Sequence, residues 1–417
     1  MTKKIAFKGG FLIDGIRDDA VADSLVLVEE GKIAFAGEAA GAPVTPQQLE
    51  AEWDVRDITG KTIMPGLVDT HLHFSGNLND CDQDWVLEDN LQKCVVAVQQ
   101  AHECLEAGLT TVGEISRFGI HIRNMIEQKV MTGPRVVASG LGFCATSSHG
   151  DSHTLSVEQN HDAHPWAECV DGPWDLRKAI RRRMREDPDA IKIWATGGGI
   201  WRWDTAYRQH YTMEEVQAIA DECKLQGIPL WSHCFGSAYN SVVAGADFII
   251  HGFNLDEKTL DLMAEKGIAL CPTIHFMPDW YETYPPQYDP ELHDKYPGDT
   301  LKEKEMNRIY DNLKNAAGKG ITLTIGSDSF CSQLTPYGET AIRELHAFVD
   351  KAGIGVMETL KAATINGARV LLVDDITGSL EAGKSADLLV VEGNVLEDIH
   401  NLTQENIRLV MKEGEIV

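Results

Sequence analysis

Four histidines, one aspartate and one lysine stand at the ends of short apolar runs rich in β-branched residues. They are His71 and His73 in "MPGLVDTHLHF", Lys192 in "AIKIWATGGG", His233 in "IPLWSHC", His251 in "DFIIHG" and Asp328 in "TLTIGSDS". Imidazole and carboxylate are ligands for zinc and similar divalent ions. His71 and His73 are two residues apart, so on a strand both rings point to one face. Lys192 is the unusual member. Alternation along "AIKIWAT" sends its neighbours toward an apolar layer and Lys192 the opposite way. A buried, unpaired ammonium is costly. Burial and nearby positive charge both favour the neutral amine. A neutral amine can add carbon dioxide to give a carbamate, an anion with two oxygens that can bridge two metals.

Such residues need a scaffold that brings strand ends together. In a barrel of parallel strands, side chains at the C-terminal ends converge on one spot. The apolar pattern predicts strands over 66–73, 109–115, 135–142, 190–195, 228–234, 247–251, 268–274 and 321–328. Helical periodicity fills the intervals at 91–107, 119–131, 174–186, 212–226, 256–266, 301–319 and 338–352, with 356–369 following. This alternation predicts an α/β fold, a (β/α)8 TIM barrel over 63–374. An open doubly wound sheet is the alternative, and no glycine-rich fingerprint follows the first strand to support it. Residues 1–62 and 375–417 alternate apolar and polar residues between glycine turns. They are expected to form one small discontinuous β-sandwich. The connections 143–173 and 275–300 are long enough to act as binding loops.

The formal net charge of −27 argues against nucleic-acid and membrane partners. Nine cysteines without a Cys-x-x-Cys pair suit free thiols in a cytoplasmic protein. Neither a secretory h-region nor a run of about 18 apolar residues is visible.

The segments "PGLVDTHLHF", "IKIWATGGG", "SHCFGSAYNSVVAGADFIIHG", "TIGSDS", "ATINGARVL" and "GSLEAGKSADLLVVEGN" together resemble the amidohydrolase superfamily across essentially the whole chain. The resemblance points to the prolidase-like and Xaa-Arg dipeptidases, near imidazolonepropionase and phenylurea hydrolases. It implies two divalent metal ions, zinc most often. His71, His73 and Asp328 would hold one and His233 and His251 the other, bridged by N-carboxylated Lys192. The implied reaction is attack of a metal-bridging hydroxide on a small amide, with Asp328 carrying the proton to the leaving amine. The expected small-molecule substrate is a dipeptide or N-acyl amino acid, and a homo-oligomer is expected. Two substrate contacts also follow from resemblance, His149 in "ATSSHGDSH" and Tyr211 in "RQHYTMEE". His275, just past strand seven, is expected to face the mouth. In "GGGIWRWDTAYRQHY", Trp201 and Trp203 are candidate covers for an aromatic or apolar group, and Arg202 or Arg208 a candidate fork onto a carboxylate. This loop departs from the dipeptidase pattern and leaves room for aryl amides, ureas or carbamates. A mononuclear deaminase of the same fold carries an acid shortly after the strand-five histidine, whereas "CFGSAYN" has none. A silent scaffold protein would have lost ligands, and all six are kept here.

Overall fold

Period-two alternation turns both ends of the chain into strands, and those strands find each other. The computed structural model describes residues 4–157, 164–201, 203–284 and 295–417. In it, Lys61–Pro65 pairs antiparallel with Leu388–Glu392, placing Ile63 opposite Val390. A five-stranded sheet runs in the order Glu415–Ile416, Ile407–Lys412, Leu388–Glu392, Lys61–Pro65, Phe11–Leu12. A four-stranded sheet runs Lys32–Glu38, Ser24–Glu29, Lys4–Lys8, Asp54–Asp57. Ile5, Phe7, Val26, Val28, Ile63 and Val390 share one small core. Each such side chain contributes about 1.5–3 kcal/mol on full burial. The strand Lys61–Pro65 straddles residue 62, and only Gly66 separates it from the first strand of the central unit, Leu67–Leu72. An ion pair between Arg135 and the buried Asp387, at 2.6 Å, fastens the tail to that unit.

The central strands are parallel and lie in two groups. Leu67–Leu72, Leu109–Glu114 and Arg135–Ala138 form one. The other runs Ala167–Cys169, Gly142–Cys144, Ile191–Trp194, Leu230–Cys234, Phe248–His251, Ala269–Cys271. Helices separate most of these strands, with boundaries set by local chemistry. Met213–Gln226 begins at Thr212, whose hydroxyl accepts from the Glu215 N–H while Glu215 reaches back to the Thr212 N–H. It ends at Gly227, whose φ of 71° favours glycine. Leu301–Gly318 starts with the same reciprocal cap at Thr300 and Glu303. The helix expected over 356–369 is instead two, Val356–Ala362 and Ile365–Val370, broken at Thr364 (φ −139°, ψ −98°). The Thr364 hydroxyl donates to the Leu360 carbonyl at 2.6 Å, offering the backbone an alternative to a continuous helix.

Segment 321–328 also differs from expectation. It forms no extended ladder and carries a single bridge, Leu270 to Leu323. Its backbone is divided between two neighbours. Leu270 N–H donates to Thr322 and Thr324 N–H to Leu270, while Thr70 N–H donates to Ile325 and Asp328 N–H to His71. The segment thus joins the strand Ala269–Cys271 to the strand Leu67–Leu72 without continuous pairing to either. Among the described residues, no helix is long and apolar enough to cross a membrane.

Candidate metal centre

The strand ends bring the expected residues together. His71 Nε2 lies 3.1 Å and His73 Nε2 3.2 Å from Asp328 Oδ1, and His251 Nδ1 lies 4.0 Å from Asp328 Oδ2. His71, His251 and Asp328 each offer a ligand atom within 4.8 Å of the others. The His233 and His251 rings meet edge to face at 4.5 Å between centroids. His251 and Asp328 hold φ values of 74° and 50°, and Thr273, which hydrogen-bonds His251 Nδ1 at 2.6 Å, holds 48°. Left-handed backbone at non-glycine residues costs on the order of 1–3 kcal/mol each and clusters at functional sites.

The hydrogen bonds fix which ring atoms are free. His73 Nδ1 is 2.6 Å from the Ile115 carbonyl, which only accepts, so Nδ1 carries the proton. That leaves Nε2 as the ring atom turned toward an Asp328 carboxylate oxygen, at 3.2 Å. His233 Nε2 similarly faces the Gly197 carbonyl at 3.3 Å, leaving its Nδ1 bare. Burial drives the His71 imidazole down to about 3 and holds His233 and His251 well below the usual range. Neutral imidazole is the form that binds metal. Burial alone would raise Asp328, yet the surrounding imidazoles, His71 first, hold its carboxyl well below the ordinary range.

Lys192 is 1% exposed, and its Nζ has no hydrogen-bond partner. The amine sits 5.4 Å from the centre of the Trp194 ring. Burial lowers its pKa to about 7, so a large share is neutral amine near neutral pH. A positive charge here would act on His71, His233 and His251. The donor set of buried imidazoles and one carboxylate fits divalent ions of the zinc type.

Above the centre stands an aromatic wall that the sequence did not single out. Trp85, Trp166, Phe235, Phe276, Trp280 and Phe330 line the same pocket as the ligands. Trp85 and Trp166 approach to 5.3 Å, Trp280 and Phe330 to 6.1 Å, and Phe235 stacks on His233 at 4.8 Å. Trp85 comes from the helix Asp82–Leu87, just beyond the first strand, and Trp166 and Trp280 from the two long connections. No lysine or arginine lines the pocket among the described residues.

His149 reaches the pocket and stacks on His233 at 4.8 Å. Its Nδ1 is 2.7 Å from Asp204, a residue the sequence analysis passed over. Asp204 is fully buried and also accepts the N–H groups of Gly198, Gly199 and Ile200 at 2.8–3.1 Å. One carboxylate thus folds the glycine-rich loop and orients His149. A Cβ on Gly198 would stand 2.0 Å from the His149 ring, so glycine is required for this approach.

Three other candidates do not line the pocket. Tyr211 is 1% exposed, and its hydroxyl donates to the Val170 carbonyl at 3.1 Å. It packs at the start of Met213–Gln226. Trp201 stacks on His153 at 5.4 Å and donates its indole N–H to the His149 carbonyl, so it braces the loop. His275 donates its backbone N–H to Glu344 at 2.6 Å, and the next residue, Phe276, takes the place on the wall. Arg202 lies outside the described residues.

The family model for the Amidohydrolase family matches residues 62–417. The chain belongs to that family. It is 27% identical over 415 residues to an ochratoxinase of Aspergillus niger, covering 94% of this chain and 81% of the relative. It is 22% identical over 412 residues to an imidazolonepropionase of a Geobacillus species, covering 94% and 89%. A solved Xaa-Pro dipeptidase with methionine bound in the active site superposes with a TM-score of 0.84 at 27% identity, covering 100% of both chains. As a member of the amidohydrolase family with enzymes as relatives, this chain is a hydrolase. The metal-dependent chemistry general to the family agrees with the His/Asp cluster at the strand ends.

Proposed function

We propose that this amidohydrolase cleaves a small amide bearing a flat aromatic or large apolar group, such as an aromatic N-acyl amino acid or an aryl amide. Lys192 carries the reading: a fully buried amine without a partner, set among three imidazoles and a carboxylate. In this reading the hydrogen bonds of segment 321–328 close the central parallel strands into a barrel, with the paired termini as a separate β unit. His71, His73 and Asp328 would hold one divalent ion and His233 and His251 a second, with carbamylated Lys192 supplying an anionic ligand; zinc suits these donors. Bound there, the ions would lower the pKa of water to about 7 and polarise the amide carbonyl. Asp328 accepts the proton of the attacking water and returns it to the departing nitrogen. His149, its Nδ1–H given to Asp204, presents Nε2 to the substrate. The aromatic wall binds the acyl or aryl group and keeps bulk water out.

The wall shapes the choice of substrate. Similarity to an ochratoxinase and to a Xaa-Pro dipeptidase supports hydrolysis of a C–N bond in either kind of molecule. Among the described pocket residues, seven are large aromatics and none is a lysine or arginine. Aromatic contacts contribute about 0.5–1.5 kcal/mol each beyond area. With the zinc-loaded enzyme, kcat/KM for N-benzoyl amino acids and anilides should exceed that for N-acetyl counterparts by at least about tenfold. Equal rates for acetyl and benzoyl substrates, or a preference for small dipeptides, would overturn this assignment while leaving the metal centre intact.

A further inference from the structure

Away from the metal centre, Cys144 and Cys169 face each other at the base of the connection that supplies His149 and Trp166. They are directly opposed on the paired parallel strands Gly142–Cys144 and Ala167–Cys169. Their sulfurs are 3.6 Å apart, in contact but not bonded. Neighbouring strands run about 4.8 Å apart, and a disulfide accepts Cα separations of roughly 4.4–6.8 Å, so a bond requires little backbone movement. The two thiols differ in access. Cys169 is exposed, while Cys144 is buried, with a Cβ on Gly150 able to approach its sulfur to 2.9 Å. The strand ends are already clamped together, because Thr146 donates its N–H at 2.9 Å and its hydroxyl at 2.5 Å to Asp171. We infer that Cys144 and Cys169 form a reversible redox pair, oxidised to a disulfide by exchange with a low-molecular-weight disulfide.

The exchange balances in two steps. The Cys169 thiolate attacks one sulfur of the small disulfide, whose S–S bond breaks, and the proton from Cys169 ends on the released thiol. Cys144 then attacks the Cys169 sulfur, displacing the second small thiolate, which takes up the Cys144 proton. Two protein thiols are oxidised by two electrons, and one small disulfide is reduced to two thiols. Burial raises the Cys144 thiol well above its usual range, which leaves the first attack to the exposed partner. The bond would tie together the two ends of the segment that delivers His149 and Trp166 to the pocket. This inference does not rest on the proposed substrate or metals.

The test uses the reduced, metal-loaded full chain, incubated with oxidised glutathione, alkylated with iodoacetamide and mapped by mass spectrometry without reductant. The expected product is one cross-linked pair of peptides holding Cys144 and Cys169, lighter by two hydrogens than their sum and released by dithiothreitol. Cys144→Ser should stall with glutathione held on Cys169, and Cys169→Ser should give no cross-link. Stable glutathione on Cys169 of the unmutated protein, or alkylation of both residues after the incubation, would overturn the pair.

Discussion

Lys93 and Lys192 are equally buried, each 1% exposed, and their surroundings assign them opposite roles. Lys93 lies on the helix Asn90–Glu106, and its Nζ donates to the Trp85 carbonyl at 2.5 Å. That ammonium is partnered, and it braces a residue of the aromatic wall. Lys192 lies on a central strand with no hydrogen-bond partner, near enough for its charge to act on His71, His233 and His251. Burial lowers the pKa of both, Lys93 to about 8 and Lys192 to about 7. Desolvation alone therefore does not mark a functional lysine. The unmet hydrogen-bonding capacity of Lys192, set among metal-binding groups, does.

The largest effect should come from dividing the centre itself. Lys192→Ala should lose metal by elemental analysis and on the order of 10³-fold or more in kcat/KM, with partial recovery when small carboxylates are added. Asp328→Asn should retain much of its metal and still lose on the order of 10²–10⁴-fold in kcat, because the proton carrier is gone. If Lys192→Ala kept both metal and rate, the two lysines would belong to one structural class.

A smaller effect is expected at Asp204. Asp204→Asn should lower kcat by about 10–100-fold with metal content unchanged, since it disturbs the orientation of His149 rather than a ligand. Parallel kinetics and elemental analysis check this, and loss of metal would show that the loop supports the ligands instead.

The smallest effect concerns Lys93 and should appear in stability. Its folded pKa, about 8, lies below the ordinary lysine value of 10.5. Between these values the unfolded chain binds more protons, so stability rises with pH. Unfolding titrations should therefore show the parent protein gaining on Lys93→Met by on the order of 1–3 kcal/mol as pH rises through that window. A gap that stays constant with pH would mean that Lys93 remains charged in the fold.

The six candidate residues were legible because each lies in or beside an apolar run of strand composition, where a two-residue period fixes which way a side chain points. The aromatic wall was not legible. Trp85 sits on a short helix, Trp166 just before a short strand and Trp280 in a long connection, and no period relates them. Asp204 was hidden for the same reason, since its partners are loop N–H groups and a histidine 55 positions away. Tyr211 shows the converse: its sequence context suggests a substrate contact, while its hydroxyl is spent on the Val170 carbonyl. The segment 321–328 has the composition of a strand, but its hydrogen bonds are shared between two neighbours.

The central claim is that Lys192 becomes an anion joining two cations. The direct measurement is carbon NMR of the zinc-loaded enzyme equilibrated with ¹³C-bicarbonate, alongside the metal content of the same sample. The account predicts one carbamate carbon and two zinc ions per chain, with the carbon signal absent from Lys192→Ala. An active, metal-loaded enzyme with no carbamate signal would contradict it.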